Sequence, residues 1–137
     1  MTKIDKLLED VKNKFWNDRI KRSVQAVLHL YHLSVHDVSL SRKEIPSDEL
    51  YVTAVEECNL EKSKEYMEKH PKIPPPITVI QHRHKKCIFL GSNRSIQYVL
   101  HKKNPDCIIV KLPHNIHPRM ILEATITLKD LIAKQIK

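Results

Sequence analysis

Gly91 is the only glycine in this chain of 137 residues, and the residues that follow it are suited to binding an anion. A lone glycine is usually needed for its backbone properties, because it can adopt a positive φ or let a ligand come close. Ser92 or Asn93 can cap the helix that follows, and the N–H groups of a first helical turn attract phosphate. Arg94 adds a planar cation. We therefore predict that Gly91, Ser92, Asn93, Arg94 and Ser95 bind a phosphate group.

The net positive charge is concentrated around this turn. The segment 71–119 contains nine lysines and arginines and one acidic residue, Asp106, so it carries the whole formal net charge of +8. Such a field attracts polyanions, although a basic face that is merely solvated is also common. The low aromatic content, 5%, gives little support to base stacking. We predict phosphate contacts to DNA from a hairpin tip and from the end of the next helix, through Arg83, Lys85, Lys86, Lys102 and Lys103.

Two amphipathic helices are predicted at the ends of the chain. Residues 2–33 have apolar residues at helical spacing, and Thr2 with Asp5 makes a capping-box-like start. This apolar stripe is either core or a dimer seam, and we predict a homodimer through it. The last helix is predicted to begin at Pro118, with His117 as its cap, and to continue through the remaining apolar residues.

Between these helices the pattern indicates a small mixed sheet. Apolar runs predict four strands, at 50–55, 75–80, 86–90 and 107–111. Asn59 is predicted to cap a helix that ends near Lys69. The predicted fold class is therefore α+β (mixed α/β). We divide the chain into an N-terminal helical extension (1–40), a central domain (41–113) and a C-terminal helix packed on that domain (114–137).

Composition argues against a metal-binding protein and against a membrane protein. The three cysteines are odd in number and lack metal-ligand spacing, so we interpret them as small buried hydrophobic residues and predict no metal site. No signal peptide or long apolar run is visible, so the sequence predicts a soluble, cytoplasmic protein without membrane contact.

The order of these elements resembles the ParB/sulfiredoxin superfamily over residues 45–113. The segment 75–80 reads Pro-Pro-Ile-Thr-Val-Ile, and 87–94 reads Cys-Ile-Phe-Leu-Gly-Ser-Asn-Arg; these are similar to the family's Pro-Pro-Ile-x-Val-like strand and to its strand ending in Gly-x-x-Arg. Ile45–Leu50 looks like the opening strand, and Cys107–Lys111 looks like the closing one. The resemblance implies a ParB-like domain that binds nucleotide at the glycine turn.

Nearest in pattern are the archaeal free serine kinases of this superfamily, in which a pair of glutamates lies between a strand and a helix. The resemblance implies that Glu56 or Glu57 acts as the base, with ATP or ADP and Mg²⁺ as cofactors. The alternative is that these acids favour the dipole of the following helix. Those kinases carry aspartate where this chain has Leu90, which disfavours phosphoryl transfer. Sulfiredoxins carry a nucleophilic cysteine where this chain has Ser92, which excludes sulfinic acid reduction.

The sequence thus supports two hypotheses. The first is a ParB-like nucleotide-binding protein that acts on or near DNA through a basic surface. A single arginine in the turn, and only about one helix after the fold, argue against the sequence-specific DNA reading of partition proteins. The second is an ATP- or ADP-dependent phosphotransferase or ATPase, and the missing aspartate places it second.

Overall fold

The computed structural model describes residues 2–136 and contains a six-stranded mixed sheet with helices on both faces. The helices are α1 (Lys3–Leu7), α2 (Lys14–Leu30), α3 (Leu60–Lys69), α4 (Ser92–Leu100), α5 (Arg119–Glu123) and α6 (Leu128–Gln135). The strands are β1 (Ser39–Glu44), β2 (Leu50–Val52), β3 (Ile77–His82), β4 (Lys85–Leu90), β5 (Asp106–Lys111) and β6 (Ile126–Thr127). The predicted α+β class is confirmed. Met1 and Lys137, at the ends of the predicted segments, lie outside the described residues.

The strands lie in the order β1-β5-β3-β4-β2-β6. β5 and β3 are parallel, as are β4 and β2, whereas the other neighbouring pairs are antiparallel. The central strands β3 and β5 are buried over nearly their whole length, because helices cover both faces of the sheet. This explains why the sequence shows continuous apolar runs at these strands and no alternation.

Each face of the sheet has its own hydrophobic core. On one face Ile20 and Val27 of α2 pack with Ile80 of β3, together with α5. On the opposite face Leu131 of α6 packs with Val79 of β3, together with α3 and α4. The apolar stripe of the N-terminal region is therefore core, covered by the chain's own sheet. A homodimer stays a prediction, and it would need a surface other than this stripe.

The prediction of one helix over residues 2–33 is wrong, although its capping box of Thr2 and Asp5 is confirmed. The helix ends at Leu7 and a second one starts at Lys14, because Asn13 caps α2 by accepting from the N–H of the third helical residue at 3.2 Å. The break is stabilised by the Asn17 side chain, whose amide donates to two carbonyl oxygens of the intervening loop.

The single C-terminal helix is also interrupted. Residues 126–127 form β6, which pairs antiparallel with β2. The β-branched run Thr-Ile-Thr at 125–127 favours an extended backbone, and Thr127 then caps α6 through its hydroxyl, which accepts from the Asp130 N–H at 3.2 Å. The first part, α5, begins after Pro118, which is its N-cap in place of the predicted His117.

The predicted opening strand Ile45–Leu50 is instead the turn between β1 and β2, except for its last residue, which begins β2. Pro46 cannot donate to a strand ladder, and its carbonyl oxygen accepts from the Glu49 N–H at 3.0 Å to close the turn. β1 was missed because its sequence, Ser-Leu-Ser-Arg-Lys-Glu, has one apolar residue. Such a polar strand is typical of a sheet edge.

The three cysteines are free and buried, as predicted. Burial raises the pKa of each thiol, to about 11 for Cys87. No helix within residues 2–136 combines the length and the apolar character needed to cross a membrane.

Candidate functional site

Gly91 begins α4 with a left-handed backbone, φ +105° and ψ 31°, and is the N-cap without a side-chain hydrogen bond. A Cβ here would lie 2.7 Å from Ile77 Cγ2 and 2.9 Å from Arg94 Nη2. Both the dihedral angle and this close approach therefore require glycine. Ser92 and Asn93 are the first helical residues, so the prediction that one of them caps the helix is wrong.

Arg94 is buried at the floor of a cleft, with 8% of its surface exposed. Its Nη1 donates to the carbonyl oxygens of Pro76 at 2.6 Å and Pro75 at 3.4 Å, and its guanidinium carbon lies 4.7 Å from the centre of the Trp16 ring. No carboxylate in the described part of the chain pairs with it. Burial, followed by the nearby charge of Arg19, lowers the pKa of Arg94 to about 10, so the group stays charged at neutral pH.

Asn93 and Ser95, two other polar residues of this turn, hydrogen-bond to protein groups through their side chains. Asn93 Oδ1 accepts from the Asn59 N–H at 3.0 Å and from Ser63 Oγ at 3.3 Å, while Asn93 Nδ2 donates to the Glu57 carbonyl oxygen at 3.0 Å. Ser95 is buried, and its hydroxyl donates to the carbonyl oxygen of the first residue of α4 at 2.5 Å. Arg94 is therefore the member of the predicted set that keeps an unneutralised charge.

Glu56 and Glu57 lie in a 3₁₀ helix, Val55–Glu57, with exposed side chains. Through the bond from Asn93, the structure brings this pair next to the first turn of α4. Neither glutamate is among the described residues that line the cleft, whereas Asn93 and Arg94 both line it. The predicted base and the predicted phosphate site are therefore neighbours, but Arg94 faces the cleft and the two glutamates do not line it.

The cleft over the buried arginine has a volume of about 890 Å³. Its walls come from parts of the chain that are far apart in sequence: the 10–13 loop, Trp16, the end of α3, the 72–76 segment and α4. Tyr98 OH donates to the Pro74 carbonyl oxygen at 2.6 Å and holds the 72–76 segment against α4. Sequence reasoning missed Trp16 and the prolines as site residues. The chain's only tryptophan and its three consecutive prolines are far apart in sequence, so no local pattern indicates that they contact the same cleft.

Three acidic side chains line the cleft: Glu44 is exposed and unpaired within the described residues, while Asp10 and Asp106 share one partner, Arg42. Its Nη1 lies 2.5 Å from Asp10 Oδ1, and its Nη2 lies 2.7 Å from Asp106 Oδ2. The hydrogen bond from Arg42 holds the pKa of Asp10 below its usual value. Three exposed lysines also line the cleft, and none pairs with a carboxylate of the described residues: Lys12, Lys72 and Lys103.

The basic hairpin lies far from the glycine turn. Arg83 is at the tip of the β3–β4 hairpin, and the six residues of β4 separate that tip from Gly91 by about 20 Å. Lys85 Nζ donates to the Ala124 carbonyl oxygen at 2.6 Å and lies 4.6 Å from the centre of the Tyr51 ring. The Lys85 amine is therefore held against the protein.

The remaining predicted DNA contacts are also dispersed. Lys86 is half-buried on β4, while Lys102 and Lys103 are exposed just beyond the C-terminal end of α4. Of the five predicted residues, Lys103 lines the cleft. The five therefore do not form one surface with Gly91, although all of them lie in the same basic segment of the sequence.

Comparisons with known proteins give no relative for this chain. A scan of protein-family models, a search of curated proteins and a search of solved structures each returned no match. The resemblance to the ParB/sulfiredoxin superfamily stays a prediction. Within residues 2–136, no three or more His, Cys, Asp or Glu side chains are grouped so that they could hold a metal ion.

Proposed function

We propose that this chain is a nucleotide-binding protein that binds a phosphate group at Arg94 in the cleft and acts on or near nucleic acid. The supporting observation is that Arg94 as a residue is 8% exposed and its guanidinium has no carboxylate partner within the described residues. Buried charges in proteins are normally paired, because removing a charge from water is costly. An anionic ligand would supply the missing counter-charge.

The donors that Arg94 keeps suit a phosphate. Nη1 is the guanidinium nitrogen that bonds to the proline carbonyls, whereas Nε and Nη2 donate to no group of the described chain. These two nitrogens form one of the two-pronged edges of a guanidinium, which matches a pair of phosphate oxygens. Nη2 also lies close to Gly91, so this edge is next to the start of α4, where the helix dipole favours negative charge.

ATP or ADP, with Mg²⁺, is the ligand class that we test first. A purified sample would be titrated with a fluorescent adenine nucleotide, with and without Mg²⁺. Arg94→Gln is expected to weaken binding about ten- to hundredfold, because a hydrogen bond to a charged group contributes about 1.5–3 kcal/mol. Arg119→Gln is the matched control, since Arg119 is exposed and pairs with Glu123 outside the cleft.

Arg94→Gln removes the charge and keeps a polar side chain, and thermal unfolding would show that the variant is folded. Arg94→Lys gives a second test, because it keeps the charge and loses the planar fork, so its affinity should fall between those of the other two proteins. Equal nucleotide affinity of the wild type and Arg94→Gln, or no saturable binding by the wild type, would overturn the proposal.

A phosphotransferase or ATPase is the second candidate, supported by the contact between Asn93 and the Glu57 backbone. It predicts Mg²⁺-dependent nucleotide turnover that Glu57→Gln or Glu56→Gln abolishes, measured as released phosphate or ADP. Glu65→Gln, at an exposed site on α3, is the control. Turnover that is indifferent to both changes would remove the glutamates from the mechanism.

A further inference from the structure

We propose that the cleft binds single-stranded nucleic acid, with one phosphate at Arg94 and bases stacked on aromatic side chains around it. This inference rests on the proposed phosphate site and names the kind of ligand that brings the phosphate. Proteins that bind single strands combine a positively charged groove with aromatic rings on which bases stack. The cleft has both features, contributed by segments that are distant in sequence.

The rim of the cleft adds three lysines to the buried arginine, and the lining as a whole has five basic and three acidic side chains, a formal net charge of +2. Lys12, Lys72 and Lys103 project from three separate segments: the loop before α2, the segment after α3 and the turn after α4. All three are exposed and unpaired with any carboxylate of residues 2–136. A chain of phosphates running past the buried arginine would bring a counter-charge to each lysine.

Aromatic side chains are few, but one of the two exposed ones lines this cleft and the other contacts a tryptophan that lines it. Phe15, at 58%, and Tyr66, at 45%, are the exposed aromatic residues of the described chain. Tyr66 lines the cleft and stacks on His70 with ring centres 4.5 Å apart, and Phe15 lies edge-on to Trp16, which also lines it. The low overall aromatic content therefore does not argue against base stacking here.

A duplex fits these features poorly. Its bases are already stacked on one another, so they cannot stack on Tyr66 or Trp16. Its backbone is stiff, whereas Arg94 lies at the floor of the cleft with 8% exposure, where a flexible strand can place a phosphate. Of the five dispersed hairpin and helix-end residues, this mode of binding uses Lys103 alone.

The test uses fluorescence anisotropy of a labelled oligothymidylate of about 12 nucleotides, compared with the duplex of that strand and with a mononucleotide. With contacts from Arg94 and three lysines, the logarithm of affinity should fall with the logarithm of salt with a slope of about −3. That slope corresponds to about a fiftyfold loss between about 50 and about 200 mM salt. The single tryptophan, Trp16, gives an independent signal through its fluorescence.

Two variants, each with a matched control variant, separate this inference from the phosphate site. Tyr66→Ala should weaken oligonucleotide binding at least about fivefold, while Tyr66→Phe restores it, because a phenyl ring still stacks. Lys72→Ala should reduce the salt slope by about 0.7, whereas Lys111→Ala, at the far end of β5, should not change it. Mononucleotide affinity should change little in Tyr66→Ala.

Each outcome decides the inference. Single-strand affinity at least about tenfold above both mononucleotide and duplex, lost in the rim variants, supports it. Single-strand affinity equal to that of a mononucleotide overturns it and leaves the nucleotide site standing. Preference for duplex also overturns it. Tight single-strand binding without any mononucleotide binding supports this inference and overturns the proposed nucleotide function.

Discussion

Replacing Gly91 by alanine is expected to lower the free energy of unfolding by about 4 kcal/mol. Part of the loss is backbone strain of about 1–3 kcal/mol, because φ is +105° and side chains other than glycine's rarely adopt that angle. The rest comes from overpacking, since the new Cβ would lie 2.7 Å from Ile77 Cγ2 and 2.9 Å from Arg94 Nη2. Urea denaturation, monitored by circular dichroism, measures the loss.

The matched control for this variant is Lys102→Gly. Lys102 also has a left-handed backbone, with φ 60°, and is exposed. Glycine relieves its strain without removing packing, so Lys102→Gly should keep or slightly raise stability. If Gly91→Ala were as stable as the wild type, the close packing of Gly91 with Ile77 and Arg94 would be disproved.

Replacing Asn93 by leucine is expected to lower the free energy of unfolding by about 2–3 kcal/mol. Three hydrogen bonds are lost, two accepted by Oδ1 from Asn59 and Ser63 and one donated by Nδ2 to Glu57. Ser63 is 2% exposed, so its hydroxyl would lose a partner that water does not readily replace. Denaturation gives the total, and hydrogen exchange at the Asn59 amide reports the local opening between α3 and α4.

Asn93→Asp separates the contribution of the accepting Oδ1 from that of the donating Nδ2. Aspartate keeps an acceptor for the Asn59 N–H and the Ser63 hydroxyl and favours the dipole at the start of α4, but it cannot donate to Glu57. Its stability should lie between those of the wild type and Asn93→Leu. Wild-type stability and unchanged Asn59 exchange in the leucine variant would refute the role of Asn93 as the link between α3 and α4.

Local signals in the sequence predicted the elements whose formation depends on neighbouring residues. Continuous apolar runs indicated β3, β4 and β5 to within two residues at each end, because a strand buried on both faces needs apolar side chains in succession. Asn59 was predicted as a cap for the same local reason: its side chain reaches the N–H of Lys62, three residues on. Gly91 was singled out by its rarity, and its backbone explains why glycine is needed.

Helix continuity in the N-terminal region was decided by contacts that the apolar period does not encode. Apolar spacing persists through residues 8–13, yet the chain turns there because Asn13 caps a new helix and Asn17 bonds to the turn. The C-terminal region behaves alike, since residues 126–127 gain strand pairing with β2, which is far away in sequence. Periodicity records which face is apolar and gives no information on these competing hydrogen bonds.

The candidate site also combines features that the sequence determined with features that only the tertiary structure decided. Residue types and spacing determined that Arg94 follows a glycine at a helix start, and therefore that phosphate is a ligand to consider. Only the tertiary structure buried Arg94, stacked it on Trp16 and left it without a carboxylate in the described chain. Folding also separated Arg83 from Gly91 by the length of β4 and brought Lys12, Lys72 and Lys103 to one cleft. Charge along a sequence is a one-dimensional quantity, whereas a binding surface depends on which segments pack side by side.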